Sequence, residues 1–337
     1  MGDHDVVAEL AAVRTAAVPE AVPTTVPTAG AGRPTVVSLL PSATEIVYAL
    51  GCEDRLLGRT FECDFPPAAA AKPVVLDTTL PPGLDPAGID SAVAAAGGSG
   101  GLYRIRDELG ALAPDVVLAQ DLCAVCAVPA GRVDEALRVL GCESEVVSLD
   151  PRRLEEVIET VTTVGRAIDA DAAAREVTSG LRSRLAAVRA AVAGRPRQSV
   201  LVVEWVDPPF GTGHWIPDMI EAAGGTAVLA APGGDSRRVP WQEMARTEAE
   251  VLVVAPCGYG LDAAADQARL VLARPELADL PAVRDGRVLA IDASSVVTRP
   301  GPRVVDGVEA LAAALHPGCV PARPYLVRPV ATGDRAP

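Results

Sequence analysis

The feature that most constrains this chain is an alternation repeated in two halves: short β-branched and apolar runs, each followed by a turn and then by an apolar stripe at helical spacing. The runs of the first half are Thr35–Leu40, Leu56–Gly58, Val116–Ala119 and Glu145–Leu149; those of the second are Val200–Val203, Val251–Ala255 and Gly286–Ile291. Strand and helix in alternation predict parallel α/β layers. Between the halves, Leu154, Val157, Ile158, Val161, Val164 and Ile168 form one helical stripe, opened by Asp150-Pro151 as N-cap and first helical residue. Asp169 recaps a second helix carrying Leu181, Leu185, Val188 and Val192, which ends at Gly194-Arg-Pro196. No Gly/Ser linker separates the halves, so the connector is expected to be stiff.

The predicted organisation is a leader over 1–33, an α/β lobe over 34–149, a helical connector over 150–196, a second α/β lobe over 197–316 and a tail over 317–337, unstructured after His316. The stretch after Pro67, rich in Pro and Gly up to Gly101, reads as irregular, and Arg104–Leu112 as a helix.

The length, 337 residues, suits two domains. A net charge of −14 and a pI near 4.7, without a basic cluster, argue against nucleic acid as partner. No apolar run reaches membrane-spanning length. The first residues lack a basic n-region, and Glu and Pro interrupt their apolar part, so a cytoplasmic monomer is expected, or a periplasmic or extracellular one from a different start site. The seven cysteines then read as reduced thiols.

Candidate ligand residues gather in 200–225. There a strand delivers Glu204 and Trp205 to its carboxyl end, and a Pro-Pro-Phe-Gly-Thr-Gly turn presents Phe210, His214 and Trp215. Ligands sit at such strand ends in open α/β sheets. Core filler is the alternative, but aromatics are only 3% of the chain, which favours a lined surface. Tyr259 and Arg299 occupy further strand ends.

Ser38-Leu-Leu-Pro-Ser-Ala-Thr-Glu45, Leu112-Ala-Pro-Asp115, Pro208-Pro-Phe210 and Asp235-Ser-Arg followed by Val239-Pro-Trp241 together resemble the cobalamin-, haem- and siderophore-binding proteins of ABC importers, most nearly the cobalamin-binding member. The resemblance runs from about Thr35 to Leu315. It implies the class III periplasmic-binding-protein architecture: two Rossmann-like lobes joined by one long rigid helix, with a corrinoid or related metal chelate in the cleft between them. It also implies an importer permease as partner, with docking acids nearest Asp107 or Glu108 and Gln242 or Glu243. Carried over residue by residue, it assigns Pro41, Ser42 and Ala43 of the first lobe and Phe210, Arg237 and Trp241 of the second to the ligand; the strand-end reading adds Trp205, His214, Trp215, Tyr259 and Arg299.

Large rigid rings suit a flat, mostly apolar ligand, and arginine forks suit peripheral carboxylates or phosphate. His214 is a candidate axial ligand, against the plainer reading of a hydrogen-bonded loop histidine. Cys123 and Cys126, with Cys63 between Glu62 and Asp64, could hold Zn²⁺ or contact cobalt, serve as a redox dithiol, or be inert. A Cys-dependent metal carrier or thiol redox enzyme is therefore the competing function. No nucleophile elbow, Walker loop or paired-carboxylate motif is present, so catalysis is not expected.

Overall fold

The computed structural model describes residues 32–96, 102–121, 130–140 and 143–331. The chain divides into two compact units. The N-terminal unit runs to Asp150 and takes residues 167–169 as well; the C-terminal unit takes residues 49–51, Pro151–Arg166 and everything from Ala170.

The N-terminal unit is built on a six-stranded sheet of β1 (Val36–Ser38), β2 (Leu56–Thr60), β3 (Val74–Thr78), β4 (Tyr103–Ile105), β5 (Val116–Ala119) and β6 (Glu145–Ser148), in the order β4-β3-β2-β1-β5-β6. All neighbours are parallel except β3 and β4. Its helices are α1 (Pro41–Ala49), α2 (Pro86–Ala95), α3 (Glu108–Leu112) and α4 (Ala130–Leu140). Val116–Ala119 is buried throughout, as a central parallel strand covered on both faces must be. From β1 the chain steps to β2 and β3 on one side and later returns to β5 and β6 on the other, so the topological switch lies between β1 and β5.

Two elements depart from the sequence reading. The stretch taken as irregular contains β3 and α2, and Asp85 caps α2 by accepting from Gly88 N at 2.7 Å. Tyr103–Ile105 is an edge strand rather than the start of a helix, because Leu76, Asp77 and Thr78 offer it a ladder that a local helix propensity does not outweigh.

The connector consists of α5 (Leu154–Ala167) and α6 (Asp171–Val192), interrupted at Asp169, whose φ is +51°. The stripe read from the sequence is the buried face of both helices. Asp150 does not cap α5: its carboxylate accepts from Asp121 N and from the Ser148 hydroxyl. The N–H groups that lead into α5 go instead to other side chains, those of Arg152 and Arg153 to Glu156 and that of Leu154 to Asp218. Within the N-terminal unit, the buried Arg55 donates to the Ile168 carbonyl at the end of α5.

The C-terminal unit contains β7 (Gln198–Val203), β8 (Trp205–Val206), β9 (Pro209–Phe210), β10 (Gly213–His214), β11 (Gly225–Val228), β12 (Ala231–Pro232), β13 (Val251–Val254), β14 (Val288–Ile291) and β15 (Val327–Pro329). Its main sheet has the order β11-β7-β13-β14-β15, and only β15 is antiparallel. The helices α7 (Ile216–Ala222), α8 (Trp241–Ala245), α9 (Leu261–Leu272), α10 (Pro281–Arg284), α11 (Ala293–Val296) and α12 (Val304–Leu315) follow in order. Val200–Val203 and Val251–Val254 are at most 1% exposed, each side chain contributing about 1.5–3 kcal/mol by burial. The switch here lies between β7 and β13. As far as residue 331 the tail is structured: Arg323 pairs with Glu309 and hydrogen-bonds Tyr325, and β15 completes the sheet against β14.

Candidate functional site

The carboxyl ends of β7 and β13 flank the switch of the C-terminal unit, where a parallel sheet leaves a crevice. β7 ends at Glu204 and Trp205; β13 leads through Pro256 and Cys257 to Tyr259. The Ala255 and Cys257 N–H groups donate to Val203 O and Glu204 O, so the two exits are stitched together. Across them the Trp205 and Tyr259 rings meet edge to face, centroids 5.8 Å apart at 79°. Both are half-buried, and the Trp205 indole N–H is satisfied by Asp207 O at 3.0 Å. Trp205 and Phe210 are partners in the β8–β9 hairpin, and the Arg238 guanidinium lies 5.7 Å from the Phe210 ring centroid. An aromatic surface, with a guanidinium lying over its Phe210 ring, therefore borders the crevice.

A second hairpin-like clasp supports this surface. Gly211 N donates to Arg237 O, Val239 N to Pro209 O, and His214 N to Gly234 O, so residues 209–214 and 231–239 pair backbone to backbone. A Cβ at Gly213 would lie 2.5–2.6 Å from Gly234 O and the Asp235–Ser236 backbone, which is why glycine stands there. Ser236 donates to the Glu204 carboxylate at 2.5 Å, fixing the clasp to the end of β7.

His214 lies inside the clasp at φ +50°, its side chain 14% exposed and its Nε2 3.4 Å from Asp235 Oδ1. Burial lowers its pKa; Asp235 opposes that shift and Arg152 reinforces it. The Nε2 atom is buried, and among the described residues it finds no partner closer than the Asp235 carboxylate at 3.4 Å.

Of the remaining sequence candidates, Trp215 and Trp241 are core residues, 5% and 7% exposed. The Trp215 N–H is used by Val297 O at 2.7 Å, and Arg274 covers the Trp241 ring at 5.4 Å. For these two the filler reading describes the packing, and they do not present a face. Arg237 pairs with Glu243, a docking candidate, at 2.7 Å. Arg299 is half-buried in the loop after α11.

In the N-terminal unit, Pro41 is half-buried at the carboxyl end of β1, whereas Ser42 and Ala43 are 2% and 0% exposed. Cys63 is buried, its Sγ 2.9 Å from the Thr44 hydroxyl, so the thiol is engaged within the core. Cys123 and Cys126 lie outside the described residues. Among the described residues no group of three or more His, Cys, Asp or Glu is placed to hold a metal ion, which leaves zinc or cobalt at cysteines without support.

Two residues, one in each unit, were not singled out by sequence. Phe65, after β2, is 41% exposed, and it is one of only three phenylalanines, a signal that was available. Arg238 was passed over for its neighbour Arg237, because nothing in a doublet says which side chain reaches the ring. Arg59, with donors to Thr60 O, Ala70 O and Lys72 O, shapes the loop that carries Phe65.

Two α/β units, each a largely parallel sheet with a switch point, joined through helices, define a two-lobe binding protein. The chain belongs to the periplasmic binding protein family, whose model matches residues 36–294. It is 24% identical over 288 residues, 84% of this chain and 80% of the relative, to an uncharacterized ABC transporter substrate-binding lipoprotein, YvrC, of Bacillus subtilis. It is 26% identical over 287 residues, 83% of this chain and 69% of the relative, to a cobalamin-binding protein of Halobacterium salinarum. Among solved structures, a periplasmic heme binding protein of Pseudomonas aeruginosa has a TM-score of 0.65 at 24% identity, covering 89% of this chain and 99% of that one. The vitamin B12 binding protein BtuF of Vibrio cholerae has a TM-score of 0.60 at 21% identity, covering 84% and 96%.

These relatives correct the expectation of a cytoplasmic protein. The Bacillus protein is a lipoprotein and the Pseudomonas one is periplasmic, and neither location belongs to the cytoplasm. Among the described residues no helix is long and apolar enough to cross a membrane.

Proposed function

We propose that this chain is the substrate-binding component of an ABC importer and takes a corrinoid, or a related flat metal chelate, at the switch-point face of its C-terminal unit. The observation that carries the reading is the Trp205–Tyr259 pair across the ends of β7 and β13, next to Phe210 and Arg238. In this arrangement Trp205, Tyr259 and Phe210 supply rigid apolar surface, each ring costing little entropy to present. Arg237 and Arg238 serve polar groups at the ligand's edge, as does Arg299. The Halobacterium relative, a cobalamin-binding protein, favours a corrinoid over other chelates.

The N-terminal unit has an edge of the same kind, with Pro41 and the exposed Phe65 at the carboxyl ends of β1 and β2. By analogy with the lipoprotein relative, the protein works outside the cytoplasmic membrane and hands its ligand to a permease.

An absorbance titration of the purified protein with aquacobalamin, set beside haemin and a ferric hydroxamate, tests the reading. The expected result is a saturable spectral change with aquacobalamin and co-elution of the ligand in gel filtration. Absence of both for all three chelates overturns the proposal; preference for haemin overturns the corrinoid assignment alone.

A further inference from the structure

The segment Gly233–Arg238 carries Arg237 and Arg238 and lies beside Phe210, so its position sets the polar edge of the face described above. Most of its ties come from the clasp itself, but two side chains reach it from the connector: Arg153 packs its stem against Gly233, and Arg152 bonds to the segment directly. Arg152, just before α5, places Nη1 3.0 Å from Asp235 Oδ1 and 3.3 Å from Gly233 O. Asp235 in turn faces His214 Nε2, while the His214 backbone accepts from Gly233 N and donates to Gly234 O. Arg152, Asp235, His214 and the Gly233–Gly234 backbone thus form one continuous set of contacts, anchored at its far end by Ser236 on Glu204.

We propose that Arg152 is a positioning residue for ligand recognition: it holds the Gly233–Arg238 segment so that Arg238 stays over the Phe210 ring of the aromatic surface. The inference rests on the reading that this face binds the chelate. Both Arg152 bonds come from the one Nη1 atom, whose two N–H groups meet a carbonyl and a carboxylate from a planar, pre-organised head, whereas an ammonium on a flexible stem holds the same two acceptors less rigidly. The effect is local. Arg152 and Asp235 are 46% and 75% exposed, and an ion pair so open to water adds little to global stability. What it supplies is order in a short, glycine-containing segment with Gly233 at φ +72°.

The charged groups facing His214 are Asp235 and Arg152. Replacing Arg152 removes a positive neighbour and leaves the carboxylate, so the His214 titration moves to higher pH, a signature that loss of packing alone would not produce.

The test compares wild type, Arg152→Ala and Arg152→Lys by aquacobalamin titration, by melting temperature and by NMR titration of the His214 ring. Arg152→Ala is expected to melt close to wild type, bind aquacobalamin up to about five-fold more weakly and titrate His214 at higher pH. Arg152→Lys, which keeps the charge but not the planar, pre-organised head, is expected to return the His214 titration toward wild type with intermediate affinity. Unchanged affinity in Arg152→Ala, with wild type binding normally, overturns the proposal, as does an unmoved His214 titration. If wild type binds no chelate, the functional reading fails by itself, and amide exchange of Gly233–Arg238 in Arg152→Ala still decides whether Arg152 orders the segment: unchanged exchange overturns it.

Discussion

Replacing Trp205 by alanine tests the ligand face at a single residue, with stability measured beside affinity. The indole is half-buried and already pays for its N–H with Asp207 O, so half or less of the ring is left to meet a ligand. A tryptophan buries about 150–250 Å² in full; a face of about 100 Å² covered by the ligand, at about 25 cal/mol per Å², contributes about 2.5 kcal/mol. That predicts a loss of aquacobalamin affinity of about 50- to 100-fold. The fold also loses the buried part of the ring, about 2.5–4 kcal/mol at the same coefficient, and the edge-to-face contact with Tyr259, about 0.5–1.5 kcal/mol, so affinity is compared under conditions where the variant is folded. Equilibrium dialysis against aquacobalamin gives the affinity, and urea denaturation monitored by circular dichroism gives the stability. If Trp205→Ala binds within about three-fold of wild type, Trp205 is not against the ligand and the switch-point argument fails.

Trp215→Phe is the counterpart in the core: it removes the N–H bonded to Val297 O and is expected to cost about 1–2 kcal/mol in urea denaturation with unchanged chelate affinity. A large drop in affinity would return Trp215 to the ligand site. Glu309 governs acid stability. Burial alone would raise its pKa, but the Arg184 and Arg323 guanidiniums outweigh that and hold it below the usual range. A depressed carboxylate pKa stabilises the fold above the unfolded value, about 4.3, and the contribution is lost as pH falls through the folded value. Glu309→Gln should therefore lower stability at neutral pH and flatten its decline below about pH 4.3; parallel wild-type and variant curves would show that the network does not govern acid unfolding.

Much of the fold was legible because its signal is local and periodic. Val116–Ala119 and Val200–Val203 are strands buried on both faces, and the Leu154–Ile168 stripe is the buried face of a helix. What failed depended on partners distant in sequence. Tyr103–Ile105 is a strand only because β3 lies beside it, and Val327–Pro329 only because β14 does. Asp150 was a sound capping residue by type, but Glu156 and Asp218 reach the same N–H groups from elsewhere. At the site, sequence located the strand ends but not which rings they expose. Trp215 begins α7 and turns inward, and Trp241 opens α8 beneath Arg274. Neither orientation has a signature in spacing.

The division of the three tryptophans carries the functional argument one step further. Trp215 and Trp241 are buried, and the Trp215 N–H is taken by a carbonyl, the ordinary fate of a large ring in a core. Trp205 is different because its N–H is satisfied by its own hairpin, only two residues on, which frees the ring from any need of a distant partner. It can then stay half-exposed at the junction of β7 and β13 without leaving a polar atom unsatisfied. Backbone bonds between the two strand exits, the clasp at Gly213 and the Ser236–Glu204 contact hold the surroundings fixed. A ring so placed loses little freedom when a flat ligand covers it, and preorganisation of that kind converts buried area into affinity most directly.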